Sequence, residues 1–204
     1  MSEDRVITGI RWCSAHSYSR FAQDNADKME IAIAREAELQ KDGCVSPDEL
    51  DDAGLELAEL SEVISHSAVS AVVFAGMAAE AYIYDYAARH LGVCYTDKHV
   101  DKLSIENKWV VITQLVTGKK FPKGGRAFSL LKQLIKARNA LVHSKSRYAK
   151  ESDLVPEKIE SRRRDMLKSA RDGIKALFLL ADELEVMHPE EAAKFNLGVD
   201  PPPT

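Results

Sequence analysis

Apolar residues recur at three- and four-residue spacing through most of the chain, and no stretch sustains the strict alternation of a half-buried strand. The pattern predicts a first helix from about Ser14 or Ser17 to Lys41, closed by Asp42-Gly43 as a glycine stop. A second opens at Ser46-Pro47-Asp48-Glu49-Leu50, with a serine cap, a proline at the first helical position and acids in the first turn. It continues to Leu91 before Gly92, with Gly54 as the place where it would kink or divide. Val69 to Ala88 is apolar nearly all round, as the central helix of a bundle should be. Residues 93 to 126 alternate turn signals with short helical pieces around Asp101 and Trp109 to Thr117. Phe128 to about Val142 and Glu157 to about Met187 complete the helices. The expected fold is all-α: an antiparallel up-down helical bundle over 46–190, an extension over 1–45 carrying an additional N-terminal helix, and a flexible tail over 191–204.

Two charges interrupt this pattern where a core residue belongs. With Leu131 at zero, Arg138 lies at about 340°, between Leu134 at about 300° and Val142 at about 20°. A guanidinium stays charged, so on a core face it needs a carboxylate, a phosphate or a water-filled cleft. Glu80 lies in the same way among Val72, Val73, Gly76, Ile83 and Ala87. The two are expected to face one space, as a buried pair or as two walls of a cleft.

Charge distribution sharpens the picture. The 204 residues carry a net charge of −4, but residues 1–62 hold 15 Asp/Glu against 6 Lys/Arg, while residues 119–150 hold 10 Lys/Arg and no acid. A basic stretch around Arg138 suits a polyanion, and Lys119, Lys120, Lys123, Arg126, Lys136, Lys145 and Arg147 are the candidate RNA contacts. The loop "TGKKFPKGGR" lacks P-loop spacing. Cys13, Cys44 and Cys94 are odd in number and form no CxxC, which points to reduced thiols. His16, His66, His90, His99 and His188 show no HxxxH or Cys/His ligand spacing, so neither a metal nor another cofactor is expected. The start of the chain lacks a secretory pattern, and the most apolar run, Ala68 to Ala79, is about 12 residues, short for a bilayer. The cytoplasm is the expected location, without membrane association.

The stretch Arg138-Asn139-x-x-x-His143, on an apolar helix with a basic run, resembles the signature of the HEPN superfamily of small helical ribonucleases and RNA-binding domains. "GMAAEAYIYDYAARHLG", residues 76–92, is similar to the acid-bearing central helix that precedes the motif helix in that superfamily. In element order the resemblance covers Leu60 to Met187. It implies a homodimer whose two motif helices line one cleft, and a metal-independent endoribonuclease, such as a toxin or defence effector with an antitoxin partner. Arg138 and His143 match the paired active residues, Asn139 the intervening polar position, and Glu80 the acid of the preceding helix. Some members carry a tyrosine two positions after the histidine. Here that slot is Lys145, and Tyr148 is a poor substitute, so regulation through such a tyrosine is not implied.

The chemistry of these residue types agrees with that implication. RNA cleavage needs a proton taken from the 2′-hydroxyl and one given to the departing 5′-oxygen, and a histidine titrating near neutrality serves either step. Arg138 would hold the phosphate in a forked contact, Asn139 would orient His143 or the scissile group, and Glu80 would fix the fork. In a continuous helix His143 stands about 40° from Asn139 but about 140° from Arg138, a spread that two copies in one cleft would resolve. Blander roles stand beside these. His143 could satisfy the last helical carbonyls, Arg138 and Glu80 could be a register-fixing pair, and Arg162 to Arg164 with Arg171 could be a solvated face. Tyr82, Tyr84 and Tyr86 read as core and interface residues. A domain that binds RNA or protein without cleaving is the alternative function.

Overall fold

The computed structural model describes residues 13–41, 47–143 and 155–192. Its helices are α1 (Ala15–Lys41), α2 (Pro47–Leu91), α3 (Val93–Tyr95), α4 (Ile105–Thr117), α5 (Arg126–Val142), α6 (Pro156–Met187) and α7 (Pro189–Ala192), with a π-helical turn at Thr96–Val100 between α3 and α4. Among the described residues there is no strand, and the fold is an all-α antiparallel bundle. The expected stop at Asp42-Gly43 and cap at Ser46 lie outside the described residues.

Small side chains bring α1 and α2 together. Ala15, Ser19, Ala22, Ala26 and Met29 form the buried stripe of α1, facing the Ala68, Ala71, Val72 and Ala75 stretch of α2 in the same core. Alanine at helical spacing lets two axes approach closely. Tyr18 and Phe21 pack on Phe74 at one end while Arg35 meets Glu56 at 2.8 Å at the other, so the two helices are antiparallel. The additional N-terminal helix is thus built into the bundle's core. α2 runs unbroken through Gly54: one glycine costs a helix about 1 kcal/mol, and no break follows from it.

α6 lies against α1, α2 and α5. Arg171 holds Glu30 through two hydrogen bonds of 2.6 and 2.9 Å, and Arg163 pairs with Glu36, so part of the arginine-rich face clamps α6 to α1. A Cβ on Gly173 would stand 3.1 Å from Leu134 Cδ1 and 3.5 Å from Ala75 Cβ, which marks where α2, α5 and α6 come closest. The core is completed by Trp109, fully buried, stacked on Tyr82 and donating from Nε1 to the Ala79 carbonyl at 3.2 Å.

The stretch Asp52–Leu91 of α2 is long and apolar enough to cross a bilayer by length and composition. Half of its most apolar part is buried inside the bundle, the ordinary environment of a central helix. A second correction concerns the C-terminus. Glu191, expected in a flexible tail, is fully buried within α7, held by an ion pair to Arg89. Residues 193–204 lie outside the described residues.

Candidate functional site

Arg138 follows Leu131, Leu134 and Ile135 along the buried face of α5, and its accommodation depends on the helix opposite. A Cβ on Gly76 would stand 3.0 Å from Arg138 Cγ and 3.3 Å from its Cβ. The arginine stem therefore lies directly on α2, one turn before Glu80. From there the guanidinium reaches a pocket of about 420 Å³, whose walls include Glu80, Tyr84, Asp85, Asp101, Lys108 and Arg138 together with Ser14 and Tyr18.

Within the pocket Arg138 Nη2 stands 3.8 Å from Glu80 Oε2, an ion pair beyond hydrogen-bond distance. Nη1 donates to the neighbouring Asn139 Oδ1 at 3.1 Å, and Nε is buried without a hydrogen-bond partner among the described residues. The Nη groups keep N–H bonds that these contacts do not use, whereas Nε is closed off. The expected meeting of Glu80 with Arg138 occurs, as an ion pair on the wall of one pocket.

Lys108 completes the pocket, although the sequence did not single it out. Its side chain is 4% exposed, and its ammonium lies 3.6 Å from Glu80 Oε1 and 3.5 Å from Asp101 Oδ1. The π-helical turn delivers Asp101, whose N–H donates to Thr96 O at 2.9 Å. Asp85 is drawn away by Arg89 at 2.6 Å, leaving Glu80 and Asp101 to face Lys108 and Arg138. A sequence signal for Lys108 existed: with Ile105, Trp109 and Ile112 it falls on the buried face of α4.

His143 is the C-cap of α5, with φ −105° and ψ 20°, and its backbone N–H donates to Asn139 O at 3.0 Å. Its side chain is exposed and is not among the walls of the pocket, and Asn139 is likewise exposed. Within one chain, then, Glu80 and Arg138 share the pocket, Asn139 meets Arg138 from outside its walls, and His143 is not among them.

Of the basic candidates, Lys120, Lys123, Arg126 and Lys136 are exposed. Lys119 is exposed too, and its ammonium also serves the fold. Its ammonium donates to the carbonyls of Val186 and Met187 at 3.4 and 3.0 Å, capping the negative end of α6. Lys145, Arg147 and Tyr148 lie outside the described residues. Tyr82 and Tyr86 are core residues, whereas Tyr84 lines the pocket and donates to Asp97. Histidine spacing along the chain also hid one cluster, because His90 and His188 meet beside Glu191 only in the folded bundle.

No family model matches the chain, and neither a curated protein nor a solved structure matches it.

Proposed function

We propose that the chain is a metal-independent endoribonuclease of HEPN type, a cytoplasmic toxin or defence effector, that cleaves RNA as a homodimer. The observation that carries this reading is the state of Arg138: a guanidinium on the wall of a polar pocket, 3.8 Å from its carboxylate, with one hydrogen bond from Nη1 to Asn139. Such a fork suits a phosphate, whose oxygens accept two parallel N–H bonds. Glu80 restrains the fork without saturating it, and the charge gathering on the phosphate in the transition state falls on donors already in place.

His143 moves the protons. It takes one from the 2′-hydroxyl or gives one to the 5′-oxygen, and the products are a 2′,3′-cyclic phosphate and a 5′-hydroxyl. Its exposed position at the end of α5 leaves it free to enter a cleft shared with a second copy. Lys120, Lys123, Arg126 and Lys136 supply the electrostatic attraction for the RNA backbone.

One observation favours a second reading. With His143 outside the pocket walls, a chain that does not dimerise through α5 would bind RNA or protein without cutting it. Incubating a mixed RNA pool in EDTA with the parent and with His143→Ala separates the two. Cleavage by the parent alone supports the nuclease; a parent that shifts RNA in a gel and leaves it intact replaces it with the binding module.

A further inference from the structure

At the far end of α2, next to α7, a second polar centre uses none of the motif residues. His90 from the last turn of α2, His188 from the C-cap of α6 and Glu191 from α7 each place one ligand atom within 4.8 Å of the other two. His90 Nε2 lies 3.1 Å from Glu191 Oε2. We infer that His90, His188 and Glu191 form a binding site for a divalent transition-metal ion, Zn²⁺ in the first instance, that fastens α7 to the end of α2.

The surroundings are arranged as a metal site requires. Ligating carboxylates and imidazoles are held by partners on their other atoms, which fix orientation and tautomer. Glu191 Oε1 receives Arg89 Nη2 at 2.5 Å and the Tyr82 hydroxyl at 3.1 Å, leaving Oε2 toward the histidines. His188 Nδ1 lies 2.9 Å from the Tyr86 hydroxyl. With Nδ1–H donating to that oxygen, the lone pair sits on Nε2, and the ring is presented as a neutral ligand. His90 and His188 are neighbours, their ring centroids 5.2 Å apart.

Glu191 is fully buried, and Arg89 pairs with both it and Asp85. Its other oxygen, Oε2, stands beside two imidazoles, the donor set that a divalent transition-metal ion takes. Two nitrogens and one oxygen suit Zn²⁺ at about 2.0–2.2 Å, for which ligand atoms stand about 3.3 Å apart. Side-chain adjustment of about an ångström closes the rest of the span. The partly exposed His90 leaves the fourth position open to water.

This inference is independent of RNA cleavage, and its test reads metal alone. The full chain, freed of any affinity tag and stripped with chelator, is titrated with Co²⁺ and Zn²⁺ beside His188→Gln and His90→Gln, whose neutral side chains preserve the packing. The expected result is one Co²⁺ per chain with the visible absorption of a low-coordinate nitrogen and oxygen site, displacement by Zn²⁺, and a melting temperature that rises with Zn²⁺. Each variant, shown folded by circular dichroism, binds at least tenfold more weakly and loses the Zn²⁺-dependent rise. No saturable binding by the parent, or equal binding by the parent and both variants, overturns the site.

Discussion

Arg138 lies against Gly76: a Cβ on that glycine would come within 3.0 Å of the arginine's Cγ. The charge that breaks the apolar face of α5 is therefore matched by a missing side chain on α2, one turn from the carboxylate that Arg138 faces. The stability effect of Gly76→Ala combines a helix-propensity gain of about 1 kcal/mol with a steric cost of similar size. In Arg138→Ala the 3.0 Å contact with Cγ disappears and the 3.3 Å contact with Cβ stays, so Gly76→Ala is less costly in that background. Thermal or urea unfolding of the four proteins in the cycle is expected to give a coupling of about 1 kcal/mol between the two positions. Additive effects would mean that the stem does not rest on Gly76.

Glu80 lies between two cations, 3.6 Å from Lys108 and 3.8 Å from Arg138. Glu80→Gln removes the charge both of them face while Lys108 keeps only Asp101. Breaking a deeply buried pair costs about 3–5 kcal/mol, and the 38% exposure of the Glu80 side chain reduces the expected loss to about 1–2 kcal/mol. Chemical denaturation reads this loss directly. An unchanged midpoint would show that Lys108 and Arg138 do not depend on Glu80.

Glu191 supplies a pH dependence of known sign. Burial pushes its carboxyl upward, but hydrogen bonds from Arg89 and His90 and the charge of Arg89 outweigh this and hold it below its ordinary value of 4.5. A carboxylate depressed by folding contributes stability above its unfolded value, and that contribution is lost as the pH falls through the folded value. The parent should therefore exceed Glu191→Gln in stability by about 1–3 kcal/mol at pH 7. The gap should narrow as the pH falls below 4.5. Unfolding midpoints measured from pH 7 downward check this; a gap that widens in acid reverses the sign and contradicts the account.

The basic residues divide into two groups with different expected phenotypes. Lys119→Met removes the ammonium from the Val186 and Met187 carbonyls and should lower stability by about 0.5–1 kcal/mol with RNA affinity little changed. Lys123→Met, at an exposed position, should leave stability unchanged and weaken RNA binding, with the slope of log affinity against log salt falling by about 1. Salt-dependent binding titrations distinguish the two.

The helices were legible because each is long and periodic: α1, α2, α5 and α6 start or stop within two residues of their predicted limits where those limits are described. The expected meeting of Glu80 and Arg138 was legible for a related reason, since a charge on an apolar stripe demands a counterpart and each helix held one. Lys108 stood on such a stripe as well, but its helix is short and lies between irregular segments, where the periodic signal is weak. The cluster of His90, His188 and Glu191 could not be read from spacing, because His90 lies about a hundred residues before the other two and only the packing of α6 and α7 on the end of α2 unites them. Lys119 looked like its exposed basic neighbours for the same reason, as its carbonyl partners lie on a distant helix.

The most direct measurement of the central claim is the rate and end chemistry of RNA cleavage in EDTA by the parent, Arg138→Ala and His143→Ala, all confirmed folded. The account predicts fragments ending in 2′,3′-cyclic phosphate and 5′-hydroxyl from the parent, with each substitution lowering the rate by roughly 10²- to 10³-fold. Equal rates for all three proteins, or no cleavage by a folded, dimeric parent, would contradict it.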